Sequence, residues 1–250
     1  MDFIELSLKD GIATVTLARP KVNAINEQVV SELRDVFREL ASDTRVRAVI
    51  LTGRGSFFSF GFDIPGFMDY PREAFHRFIM SFSDLVQRIF VFPKPVIAAL
   101  NGHAVAGGCV LAIACDRRFM VGGKAKIALN ELTLGASVFT SIAEILKYTV
   151  GSRTAQLLLY TGKMNSAEEA LTLGLVDKVV SEGEINDAAV SAARELAGWD
   201  VFAFGSVKRL LRKEAIDRID NHEKGSVSDF VDIWYSENTW EKLKKIEIRG

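Results

Sequence analysis

The chain has 250 residues, 48% of them apolar and 25% charged, the make-up of a folded protein with one large core rather than a disordered one. Lys and Arg number 31 against 32 Asp and Glu, so at a net charge of -1 no global positive field draws in nucleic acid or an anionic membrane. The two cysteines, Cys109 and Cys115, share one apolar run in a chain long enough to need no disulfide staple, which fits a reducing, cytoplasmic setting.

The opening Met1 to Leu6 carries acids at once and shows no secretion or import signal. Phe3 to Lys9 and Ile12 to Leu17 are alternating runs joined by Asp10-Gly11, which predicts an antiparallel hairpin. Val29, Val30, Leu33, Val36, Phe37 and Leu40 recur at helical spacing and predict an amphipathic helix. Ala48 to Gly53 is a continuous apolar run, as in a parallel strand covered on both faces. A helix from about Arg72 to Phe90, a strand from Val96 to Leu100, a Gly-rich turn and a helix from about Gly107 follow. From Pro95 to Cys115 no charge occurs, about the length of a membrane span. Asn101-Gly102-His103 and Gly107-Gly108 interrupt that run, so it reads as two buried elements around a turn. Ser166-Ala167-Glu168-Glu169 has the pattern of a capping box, Gly174 ends its helix, and Val176 to Val180 reads as a strand. From Glu184 the signal is helical, through Ala188 to Ala197, Phe204 to Arg212 and a stretch reaching Ile246. Alternating strands and helices, then helices alone, predict an α/β fold with a helical C-terminal region and no Pro- or Ser-rich linker.

His76, His103 and His222 lie far apart and show no metal-ligand or triad spacing, so structural roles are expected for them. Gly102 to Gly107 has the glycine spacing of a phosphate loop, but Gly108 and Cys109 stand where Lys and Ser or Thr are required. What remains is a strand, a Gly-rich turn and a helix start that leaves the Gly107 amide without an intrahelical acceptor and suited to an oxyanion. The plainer reading of Gly107 and Gly108 is close packing of helix on sheet. Ser59 to Gly66 is apolar for a loop, and its Gly61 permits an unusual backbone turn that exposes a second amide. Glu131 is the single carboxylate between Ile127 and Gly135; burial raises the pKa of such a group and suits it to proton exchange near neutrality. The bland alternative is a helix cap or a partner for Lys.

At these three places, and over nearly its whole length, the chain resembles the crotonase, or enoyl-CoA hydratase/isomerase, superfamily. Arg19-Pro20-Lys21-Val22-Asn23-Ala24 resembles that family's early loop, Ser59-Phe60-Gly61-Phe62-Asp63-Ile64 its first oxyanion segment, and Asn101 to Gly108 its second. The resemblance implies a crotonase-like spiral of ββα units over residues 1–183, with coenzyme A and active site, and a helical trimerisation region over 184–250. It implies that the Phe62 and Gly107 amides hold a thioester oxygen as it becomes an enolate. Hydratases of the family use two glutamates; one position is Val110 here and the other is Glu131, so the resemblance is to Δ3-Δ2-enoyl-CoA isomerases. Implied contacts to coenzyme A are Lys21, Val22, Gly61, Asp63, Ile64 and Arg249. The implied partner is an acyl-CoA thioester, with no cofactor beyond the substrate's coenzyme A, no metal, no nucleic acid and no membrane. The implied assembly is a homotrimer or hexamer, compatible with a mean hydropathy of +0.15. Alternatives are another reaction of the family, as hydratase, decarboxylase or hydrolase, or an inert acyl-CoA-binding paralogue.

Lys208, Arg209, Arg212 and Lys213 fall on one helical side, the pattern of a solvated face. Of 17 phenylalanines, Phe57, Phe58, Phe60, Phe62, Phe67, Phe75, Phe78, Phe82 and Phe139 are candidates for an acyl pocket, with most expected in the core.

Overall fold

The computed structural model describes residues 1–246. Strands β1 (Ile4–Lys9) and β2 (Ile12–Leu17) form the expected antiparallel hairpin. Asp10 and Gly11 both take positive φ, 51° and 77°, as a two-residue type I′ turn demands. Helix α1 (Glu27–Ser42) is capped by Asn26, whose side chain accepts from the Val29 amide, and it buries the same six apolar residues that set its period.

The chain then repeats one pattern. Strands β3 (Ala48–Gly53) and β4 (Phe57–Ser59) precede the short helix α2 (Ile64–Phe67) and helix α3 (Arg72–Phe90). Strands β5 (Val96–Leu100) and β6 (His103–Val105) precede α4 (Gly107–Ala114). Strands β7 (Arg117–Val121) and β8 (Lys126–Ala128) precede α5 (Thr140–Val150) and α6 (Ser152–Thr161). Strand β9 (Asn165–Ser166), helix α7 (Ala167–Thr172) and strand β10 (Lys178–Val180) complete the series. Each turn lays one strand in a six-stranded sheet, order β1-β2-β3-β5-β7-β10, and one in a four-stranded sheet, order β4-β6-β8-β9. Beyond the hairpin every pairing in the larger sheet is parallel, and β3 and β5 are buried along their length apart from the half-buried Gly53, which explains their unbroken apolar sequences.

The smaller sheet positions the site. Strands β4, β6 and β8 are adjacent and parallel, with Phe57 paired to His103 and Val105 to Ala128, so the segments leaving their C-terminal ends lie side by side. That sheet is absent from the sequence reading, which has only a Gly-rich turn where β6 lies. Strands of three residues are too short to display an alternation. The capping box forms as expected, with Ser166 and Glu169 each satisfying the other's amide. The strand expected over Val176 to Val180 is confined to Lys178–Val180, because the Leu175 and Val176 amides donate to Ala170 at the helix end.

Three helices follow: α8 (Ile185–Ala197), α9 (Val201–Trp234) and α10 (Glu237–Leu243). Helix α9 runs unbroken where the sequence suggested two pieces, and it packs against α3 and α5. Its basic residues correct the expectation of a solvated face. Arg209 and Lys213 are exposed, but Lys208 and Arg212 are buried and both bond Asp116, at 2.8 Å each. Asp116 also accepts from the Val96 amide at 2.7 Å, so one carboxylate ties the long helix to the start of β5. The Arg212 guanidinium lies 4.2 Å from the centre of the Phe90 ring and donates to the Phe90 carbonyl. Burial pushes the Lys208 ammonium down to about 8. Among the described residues no helix is long and apolar enough to cross a membrane.

Candidate active site

The segment after β4 is held by the early loop. Asn23, buried at φ 51°, donates to the carbonyls of Arg54 and Phe57, and its own carbonyl accepts from the Ser59 hydroxyl. Ile25 then bridges to Phe62: its amide donates to Gly61 O at 2.8 Å and its carbonyl accepts from Asp63 N at 2.9 Å. This parallel bridge uses the groups on either side of Phe62 and leaves the Phe62 amide with no acceptor among the described residues. Gly61 takes φ +89°, a conformation that favours glycine.

The segment after β6 presents the second amide. Ala106 caps α4 at φ 47° and ψ -120°, a rare conformation for a residue with a Cβ, and its amide is fixed by Ala128 O at 2.8 Å. The Gly107 amide that follows also lacks an acceptor among the described residues. The close-packing reading of the glycine pair is met at both residues, since a Cβ on Gly107 would stand 3.2 Å from the Phe62 ring. A Cβ on Gly108 would stand 2.2 Å from Ser59 O, so Gly108 allows α4 to pack on β4, whereas Gly107 opens the helix with a free N–H.

The segment after β8 ends in a single 3-10 turn, Glu131–Leu134, closed by Gly135 at φ 79°. Glu131 as a residue is half-buried, but its Oε2 is fully buried with no partner among the described residues. Burial pushes the carboxyl up to about 7. The expectation of a buried acid is met at Oε2, and the Lys-pair reading falls away, since Glu131 forms no ion pair among the described residues.

Phe62, Gly107 and Glu131 line one cavity of about 260 Å³. Its walls are apolar, with Val110 fully buried among them, and among the described residues Glu131 is the only ionisable side chain lining it. Of the nine candidate phenylalanines, Phe60, Phe62, Phe82 and Phe139 reach the cavity. Phe58, Phe67, Phe75 and Phe78 are core, and Phe57 is half-buried against His103, ring centres 5.0 Å apart.

A neighbouring groove of about 610 Å³ is lined by Arg19, Lys21, Val22, Asp63 and Pro65, with Ile246 shared between groove and cavity. Lys21 is exposed and Val22 buried. The Asp63 carboxylate is taken by Arg19 at 2.5 Å, so its side chain is already neutralised. Ile64 lines the cavity rather than the groove, and Arg249 lies outside the described residues.

The sequence profile of the enoyl-CoA hydratase/isomerase family matches residues 7–238. The chain belongs to that family. Among curated relatives, a short-chain-enoyl-CoA hydratase of Clostridium acetobutylicum is 35% identical over 213 residues, covering 84% of this chain and 79% of the relative. The human mitochondrial enoyl-CoA delta isomerase 1 is 29% identical over 223 residues, covering 88% and 74%. The crystal structure of human mitochondrial Δ3-Δ2-enoyl-CoA isomerase superposes with a TM-score of 0.93 at 27% identity, covering 97% of this chain and 95% of that one. The crotonase fold expected from the resemblance is therefore the fold of this enoyl-CoA hydratase/isomerase family member.

Several residues of the site in this family member escaped the sequence reading. Phe230 and Trp234 of α9 and Ile246 beyond α10 wall the cavity, so the C-terminal region encloses the site. Phe230 and Trp234 stand four apart on a helix, a spacing that an ordinary core stripe shows equally. Asn130 also lines the cavity, with its Oδ1 buried and unpartnered.

Proposed function

We propose that this enzyme moves the double bond of a 3-enoyl-CoA to the 2 position. The observation that carries the reading is that, among the described residues, Glu131 is the one ionisable group lining the cavity; by the family resemblance, Val110 stands where hydratases carry the second glutamate that holds water. In the proposed reaction the Glu131 carboxylate takes a proton from carbon 2, and the electron pair passes through the thioester to make a dienolate. The amides of Phe62 and Gly107 donate to the developing oxyanion, a contribution of about a hundred- to a thousandfold in rate for one such donor. The same carboxyl then returns the proton to carbon 4, the double bond forms between carbons 2 and 3, and no water is consumed. The groove beside Lys21 and Val22 is proposed to receive the coenzyme A moiety.

Parallel ultraviolet assays test this: a 3-enoyl-CoA gains conjugation, a 2-enoyl-CoA loses it on hydration. Rapid gain with slow loss in the wild type, and no gain in Glu131→Gln, is the expected result; hydration faster than isomerisation would give the site to a hydratase. We further propose a cytoplasmic setting, supported by two free, buried thiols, and self-association through the apolar surface of α9, where Phe202 is 88% and Leu210 70% exposed.

A further inference from the structure

Buried polar atoms nearly always have partners. Among the described residues four buried side-chain nitrogen or oxygen atoms have none, namely His103 Nδ1, Asn130 Oδ1, Glu131 Oε2 and Trp234 Nε1. Three of those four residues line the same cavity. Asn130 and Glu131 are neighbours at the end of β8, but Trp234 comes from α9 and has no part in the proposed chemistry. The residue is 3% exposed and its ring is clamped, stacked on Phe75 with centres 4.5 Å apart and tilted on Phe230 at 5.9 Å. Phenylalanine would supply such ring packing without burying a lone N–H donor, which is costly to leave unpaired. Among the described residues the rest of the lining includes no cation, so an acyl carboxylate there would be a buried charge with no partner among them.

We propose that Trp234 is a specificity-determining residue whose indole N–H donates to a neutral acceptor oxygen, keto or hydroxyl, carried on the acyl group. The inference rests on the proposed function in one respect, that an acyl group of a CoA ester occupies this cavity. Cavities of about 150 Å³ hold a benzene, or about 25 Å³ per carbon, so this one takes roughly ten carbons.

The test is a titration of wild type and Trp234→Phe with decanoyl-CoA and with its monoketo counterparts bearing the carbonyl at each of carbons 5 to 9. These saturated ligands report affinity independently of turnover by Glu131. One keto isomer is expected to bind the wild type about tenfold more tightly than decanoyl-CoA, and in Trp234→Phe the ratio falls to within about twofold. Nitrogen-15 spectra add a readout on the wild type, since the chain has three tryptophans and so three indole signals. If Trp234→Phe does not fold, Trp199→Phe and Trp240→Phe assign the Trp234 signal by elimination. That signal moves downfield with the preferred keto ligand and not with decanoyl-CoA. No keto preference in the wild type, a preference that survives Trp234→Phe, or an unmoved Trp234 signal overturns the inference. Failure of decanoyl-CoA itself to bind removes the acyl-CoA reading as well, whereas binding without keto preference removes only the role of Trp234.

Discussion

Gly61 lies so close to Gly107 that a methyl group on its α-carbon would stand 3.2 Å from the Gly107 nitrogen and 2.8 Å from the Val105 carbonyl oxygen. The two free amides of the site are therefore held by direct backbone packing between the segments after β4 and β6. Gly61→Ala would have to accommodate both that approach and φ +89°. It is expected to lower kcat for the 3-enoyl substrate about a hundredfold or more by displacing the Phe62 amide, with a stability loss of about 1–3 kcal/mol. Steady-state kinetics with thermal unfolding separate the two effects; full activity in the variant would remove Phe62 from the oxyanion hole.

A base whose carboxyl is pushed up to about 7 works only when deprotonated. The value of kcat/KM on a 3-enoyl-CoA is expected to rise tenfold per unit of pH on the acid side and level off above about pH 7. An inflection near pH 4.5, where an ordinary glutamate titrates, would show that burial does not tune this group.

The same burial costs stability. Because the folded state holds the Glu131 proton up to about pH 7 and the unfolded chain releases it near 4.5, stability falls as pH rises through that window and the penalty is complete above it. Glu131→Gln is expected to be inactive yet more stable than wild type, by up to about 3 kcal/mol at pH 8 and by almost nothing at pH 4. Urea denaturation at the two pH values measures the difference.

Asp116 neutralises two buried cations at once. Removing it in Asp116→Ala leaves Lys208 and Arg212 without their charge partner inside the protein and is expected to cost about 3–5 kcal/mol. Adding Lys208→Met and Arg212→Leu to that variant should recover much of the loss, because the unpaired charges go with it. A triple variant no more stable than the single one would mean that packing, not charge, is what Asp116 supports.

On α9 the exposed Leu210 tests self-association. Leu210→Asp is expected to shift the sedimentation coefficient toward that of a monomer while leaving the circular dichroism spectrum intact. An unchanged sedimentation profile would place the subunit contacts elsewhere.

Much was legible in the sequence because it is written in local or periodic signals. The Asp10-Gly11 turn, the six-residue apolar face of α1, the buried run Val96–Leu100 and the Ser166–Glu169 capping box each depend on residues within a few positions of one another, and each is found in the fold. The three segments carrying Phe62, Gly107 and Glu131 were equally visible, since a glycine at a strand exit and a lone acid in an apolar run are unusual in themselves. Their meeting in one cavity was implied by the family resemblance and by no local signal. It follows from the parallel pairing of β4, β6 and β8, strands of three residues whose partners lie 45 or 46 positions away in one pair and 23 in the other, and no periodicity reports such pairing. Helix α9 shows the same limit from the other side. Helical spacing groups Lys208 with Arg212 and Phe230 with Trp234, but only tertiary packing decides that the first pair turns inward to Asp116 and the second closes the cavity over Glu131.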